Sequence, residues 1–103
     1  MAINIYAKNN IAIIQIARPE RKNAITAAMY QQMADALVAA QNDTGIRAIV
    51  LHGQEDIFTA GNDLEEFAKT PPAGLDAPVF QFMKALSRAS KPVVAAVTGA
   101  AVG

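Results

Sequence analysis

TAAMYQQMADALVAAQN (Thr26–Asn42), followed after two residues by GIRAIVLH (Gly45–His52), decides the fold. In the first stretch strong helix formers dominate, and Met29, Met33, Leu37 and Ala40 recur at helical spacing, giving one apolar stripe. Thr26 is placed to cap the helix, because a threonine hydroxyl accepts a hydrogen bond from a first-turn amide. Gly45 follows the last turn, where a residue of positive φ often ends a helix. Ile46–His52 is then almost wholly apolar, the pattern of a strand buried on both faces.

Upstream, Ile3–Ala7 and Ile11–Ala17 are β-branched runs with alternation, separated by Lys8-Asn9-Asn10. Asparagine tolerates the left-handed backbone of tight turns, so this segment reads as a hairpin. A hairpin, a helix and an apolar strand imply a crossover connection, which sets the strand after the helix parallel to the one before it. The fold class is therefore α/β with mostly parallel strands.

Downstream, Gln54-Glu55-Asp56 is a polar turn, and Phe58–Gly61 leads into a short helix over Asn62–Ala68 with acids in its first turn. Pro71, Pro72 and Gly74 break the chain within Lys69–Asp76, which reads as a mobile loop able to serve as a lid. Asp76 is the expected cap of a second helix with Pro78 in its first turn and Val79, Phe82, Met83 and Leu86 on one face. Lys91-Pro92 ends that connection, and Val93–Val97 reads as a second buried parallel strand.

The 103 residues allow a single small domain. Nine basic against nine acidic residues leave no net charge, which argues against a nucleic-acid binder. Without cysteine there is no disulfide framework, thiolate nucleophile or Cys-ligated zinc site, and the composition fits a reducing compartment, with cytoplasm expected. No apolar run approaches the roughly 18 residues that cross a bilayer, and the first residues lack a signal-peptide pattern. Just over half the residues are apolar, more than a small domain needs to hide, so some of that surface is expected to meet another polypeptide.

Ligands of an α/β sheet gather at the carboxyl ends of its strands, and here those exits are FTAGNDL (Phe58–Leu64) and TGAAVG (Thr98–Gly103). Small side chains at Ala60 and Gly61 let a ligand approach the backbone, and a helix start leaves amides without intrahelical partners. Two such amides converging on one oxygen form an oxyanion hole, able to stabilise the charge that develops when a thioester becomes its enolate. Asn62 would supply one amide; the second is expected at or just beyond Gly103.

ARPERKNAI (Ala17–Ile25), FTAGNDLEEF (Phe58–Phe67) and SKPVVAAVTGAAVG (Ser90–Gly103) are similar, in order and spacing, to three signature stretches of the crotonase family, the enoyl-CoA hydratases and isomerases. The resemblance implies the N-terminal part of the crotonase (ClpP-like) ββα superhelix, with residues 1–103 as the N-terminal portion of the domain and a C-terminal part absent. It implies that Arg18, Arg21, Lys22 and Ala24 lie along the nucleotide and pantetheine of coenzyme A. Ala60, Gly61, Asn62, Asp63 and Leu64 would hold the thioester end, with the Asn62 amide on its carbonyl oxygen and Gly103 beside the second donor. The family's catalytic carboxylates lie further on, so none is assigned here. The implied partners are an acyl-CoA thioester and other copies of the chain, as trimer or paired trimers, with no metal and no cofactor beyond the substrate's coenzyme A. GND together with GAAVG looks more like the Δ3,Δ2-enoyl-CoA isomerases than the classical hydratases.

Each motif also has a plainer reading. ARPERKNA can be a solvated charged turn, and AGND a turn with a helix cap. The G-x-G-x-x-G spacing of a dinucleotide site is absent, His52 has no triad partners in the sequence, and Glu65 and Glu66 suit a helix dipole better than acid–base work. Met29, Met33 and Met83 read as core filling. The alternative to an acyl-CoA enzyme is a non-catalytic, CoA-binding or self-associating fragment.

Overall fold

The computed structural model describes residues 2–102. Its main sheet has four strands in the order β1-β2-β3-β5: β1 (Ile3–Lys8), β2 (Ile11–Ile16), β3 (Ala48–His52) and β5 (Val93–Ala96). β1 and β2 pair antiparallel around Asn9 (φ 53°) and Asn10 (φ 66°), two left-handed residues whose twist matches that of the strands they join. β2 and β3 run parallel, as do β3 and β5, in keeping with crossovers through helices.

Helix α1 (Ala27–Asn42) starts at Thr26, whose Oγ1 accepts from Met29 N at 3.2 Å. Its stripe of Met29, Met33, Leu37 and Ala40 is buried against Ile3, Ile14, Ile16 and Ile49 of the sheet. Burying each large side chain of this stripe stabilises by roughly 1.5–3 kcal/mol. Gly45 does not have the positive φ expected of it. The helix ends in extended backbone at Asp43, whose Oδ1 accepts from Gly45 N. Lys91 Nζ, from the far end of the chain, donates to Ala40 O and Asp43 O at 2.6 Å each, a cation satisfying the negative end of the helix.

Helix α3 (Pro78–Ser87) packs on α1. Asp76 does not cap it: Ala77 precedes the helix with no side-chain bond, and Pro78 supplies the preset φ of its first turn. Phe82 and Leu86 pack against the core, but Met83 is 56% exposed and fills no core gap. The two apolar strands also differ from expectation. In β3 only Ile49 is fully buried, and in β5 Val94 is 52% exposed, because among the described residues nothing covers the outer face of the sheet.

A second, two-stranded parallel sheet joins β4 (Ile57–Thr59) to β6 (Ala100–Ala101). Neither short strand is legible as such in the sequence. Gly99 (φ 72°) makes the pairing possible: a Cβ there would collide with the Asp56 main chain. Thr98 Oγ1 donates to Gln54 O at 2.9 Å beside it. The two glycine-bearing exits therefore emerge side by side, and Val102 N donates to Thr59 O at 2.9 Å. Among the described residues no helix is long and apolar enough to cross a membrane.

Candidate active site

The site is assembled from the Arg18–Ile25 loop, the Ala60–Asp63 turn and the end of β6. Lys22 (φ 52°) and Asn23 (φ 57°) are consecutive left-handed residues that turn the loop back on itself. Asn23 is fully buried and holds the loop to both sheets. Its Nδ2 donates to Ile16 O, Ile57 O and Phe58 O, and its Oδ1 accepts from Arg18 N at 2.7 Å. Thr59 Oγ1 returns a bond to Asn23 O at 2.7 Å. Sequence alone does not single out Asn23; its signal is an asparagine, tolerant of left-handed backbone, between a charged turn and an apolar segment.

The turn at Gly61 (φ 95°) then sets the direction of the Asn62 amide. Ile25 N donates to Gly61 O at 2.8 Å, and Asp63 N donates to Ile25 O at 2.9 Å. In a trans peptide the C=O and the following N–H point in opposite directions, so the Asn62 N–H faces away from Ile25, toward the side on which β6 lies. Among the described residues nothing accepts from it. Gly103, the expected neighbour of the second donor, lies outside the described residues; Val102 borders the same cavity as Asn62.

Asp63, not Asn62, caps α2 (Leu64–Lys69): its Oδ1 accepts from Glu66 N at 3.0 Å. Its Oδ2 accepts from Arg18 Nη1 at 2.8 Å. The Glu66 amide, and after it the Arg18 guanidinium, hold the Asp63 carboxyl below the usual carboxylate range. Arg18 also donates to Ala24 O at 3.0 Å. Through Nη1 the guanidinium thus latches the loop to the turn. Arg21 pairs with Glu65 at 2.9 Å on the surface, and Glu65 also meets Lys69. Of the three cations singled out in the loop, Lys22 alone has no carboxylate partner among the described residues. Glu66 Oε1 accepts from Ala27 N at 2.7 Å, so this acid serves the start of α1 as well as its own helix.

Two cavities meet at the turn. The open one, about 620 Å³, is bordered by Arg21, Lys22, Ala24, Ala60, Leu64 and Val102. The other, about 270 Å³, is largely apolar, lined by Ile25, Tyr30, Phe67, Pro71, Pro72 and Val79, so the Pro-rich segment forms its wall. Asn62 and Asp63 border both. Tyr30 hydroxyl donates to Asn62 Oδ1, and its ring packs at 5.5 Å on Phe82. Burial pushes the phenol pKa up, so it stays protonated as a donor. Tyr30 too is not singled out by the sequence, where it is one residue beside the apolar stripe. His52 sits half-buried in β3, and among the described residues no cluster of three or more His, Cys, Asp or Glu side chains is placed to hold a metal.

Comparison with known proteins joins this geometry to a family. A family profile described as enoyl-CoA hydratase/isomerase matches residues 6–103. The chain is 35% identical to human enoyl-CoA delta isomerase 2 over 106 aligned residues, covering 96% of this chain and 27% of that protein. It is 35% identical to 2,3-dehydroadipyl-CoA hydratase of Escherichia coli, covering 93% of this chain and 38% of the other. Among solved structures, OdaA of Pseudomonas aeruginosa superposes with a TM-score of 0.92 at 42% identity, over 95% of this chain and 40% of that one. An enoyl-CoA hydratase/isomerase from Pseudoalteromonas atlantica gives 0.86 at 37% identity, over 94% and 39%. The chain thus spans well under half the length of these relatives. With a profile match over nearly its whole length, on a fold shared with crotonase-type enzymes, the chain belongs to the enoyl-CoA hydratase/isomerase family.

Proposed function

We propose that this chain supplies the thioester-binding half of an acyl-CoA hydratase or isomerase site. The observation that carries the reading is the Asn62 N–H. It is unpartnered among the described residues, faces the β6 side, and lies where an apolar cavity meets an open one bearing Lys22. An acyl chain suits the first cavity and the polar arm of coenzyme A the second. The amide would donate to the thioester oxygen and stabilise the negative charge growing on it, with a second amide near Gly103, while a carboxylate moves a proton beside the carbonyl. One carboxylate shuttling the proton gives double-bond isomerisation; two carboxylates handling a water give hydration. Neither outcome calls for a metal or a redox cofactor.

The carboxylates closest to the amide in sequence are engaged: Asp63 by Arg18, Glu65 by Arg21 and Lys69, Glu66 by Ala27 N. The 103-residue chain by itself is therefore expected to give no turnover of a short enoyl-CoA, followed by the absorbance of the conjugated thioester. In the complete gene product, Asn62→Pro deletes the amide and should lower turnover by roughly a hundredfold or more. Asn62→Ala, which keeps the amide, should cost far less. Equal losses would reject the main-chain role.

A second reading, a self-associating fragment, is favoured by the exposure of Val94, Val97 and Val102. Sedimentation of the chain separates the two, with a monomer that binds acyl-CoA supporting the first. For the whole protein we propose the trimeric or paired-trimeric assembly expected of the family. The lack of cysteine fits the cytoplasm as its location.

A further inference from the structure

We propose that Tyr30 is a positioning residue for the thioester site: its phenol fixes the Asn62 carboxamide and so holds the Asn62 main-chain amide toward the thioester oxygen. This rests on the oxyanion role just given to that amide. Three observations carry it.

The Asn62 side chain has no helix-capping duty, because Asp63 caps α2. Its Oδ1 is committed instead to Tyr30, 32 residues away on the first turn of α1. The peptide plane carrying the Asn62 N–H follows Gly61, a residue without Cβ at φ 95°, and within that plane the single bond among the described residues is the one from Ile25 N to Gly61 O. A carbonyl accepts hydrogen bonds over a broad range of angles, so this bond leaves the plane able to roll between Gly61 and Asn62 even with the following peptide held by Asp63 N to Ile25 O. A pin on the next residue removes that freedom. Tyr30 is a rigid pin: its main chain lies in a helix whose face is buried in the core, and its ring rests on Phe82. It also lines the apolar cavity, where an acyl chain in place would shield the phenol–carboxamide bond from water and strengthen it.

The test uses the complete gene product and two probes differing only at the carbonyl oxygen, hexanoyl-CoA and its thioether analogue S-hexyl-CoA. Wild type should prefer the thioester. Tyr30→Phe should weaken hexanoyl-CoA binding about tenfold and leave S-hexyl-CoA within about twofold, the loss of one well-placed hydrogen bond. Asn62→Ala cuts the same bond from the other end with Tyr30 intact, so it should reproduce the loss even if Tyr30→Phe folds poorly. The double variant should be no worse than either single change. Equal weakening of both probes, unchanged thioester binding, or losses that multiply in the double variant would each overturn the positioning role. A wild type that shows no preference between the probes would instead overturn the oxyanion reading, and this inference with it.

Discussion

Arg18 Nη1 lies 2.8 Å from Asp63 Oδ2, joining across 45 residues the loop after β2 to the turn that starts α2. Both groups are largely out of solvent, and each has a second bond, Arg18 to Ala24 O and Asp63 to Glu66 N. The pair therefore fixes the spacing between the two segments that flank the open cavity.

One consequence is a pH dependence of stability. Asp63 is held below the usual carboxylate range, chiefly by the Glu66 amide and then by Arg18, so it stabilises the fold as the anion. That contribution is complete above the unfolded-state value, about pH 4, and is lost as pH falls through the lower folded-state value. Urea midpoints measured from pH 7 down to pH 2 should fall more steeply in wild type than in Asp63→Asn, which keeps a capping oxygen but has no charge to lose. Parallel curves would show that Asp63 is not the group responsible.

Arg18→Lys should fail to restore the latch. A guanidinium reaches the Asp63 carboxylate and the Ala24 carbonyl from one planar group, whereas an ammonium on a shorter stem is a point charge. Acyl-CoA binding by the Lys variant should fall toward that of Arg18→Ala, read by titration calorimetry. If Arg18 met a phosphate instead, the Lys variant should keep most of the affinity.

Asn23 should be the most sensitive polar position in the loop. Replacement by Gly keeps the left-handed backbone but removes the side-chain bonds to Ile16, Ile57, Phe58 and Arg18, at a cost on the order of 3 kcal/mol. Asn23→Ala adds the left-handed strain, roughly a further 1 kcal/mol. Denaturant unfolding of the two variants separates the terms, and a Gly variant as stable as wild type would mean the bonds contribute little.

How far the sequence carries this picture depends on where each residue finds its partner. The β1–β2 hairpin and α1 are legible because the Asn9-Asn10 turn is local and the Met29–Ala40 stripe shows its period within one stretch of chain. The turn at Asn62 is legible because Gly61 and the Asp63 cap are local devices. What stays hidden comes from distant chain. Lys91 closes α1 in place of Gly45, Arg18 meets Asp63 from 45 residues away, and Tyr30 reaches Asn62 from α1. The strand β4 has only three residues, and its alignment is supplied by Asn23 on one edge and β6 on the other. Val94 reads as core from its apolar run, yet whether such a strand is covered depends on what packs against it.

The contrast between Leu37 and Met83 tests the same distinction energetically. Both sit on apolar helical stripes in the sequence, but Leu37 is 2% exposed beneath α1 while Met83 is 56% exposed on α3. Leu37→Ala should cost about 2–5 kcal/mol, since it removes buried methyl groups and leaves a cavity in the core. Met83→Ala should stay within about 0.5 kcal/mol in the 103-residue chain, where its side chain displaces little water on folding. In the complete gene product the same Met83 change should cost more only if further polypeptide packs on α3. Comparing the two Met83 values by urea denaturation therefore reports whether that helix face is a true surface, and equal small values would show that it is.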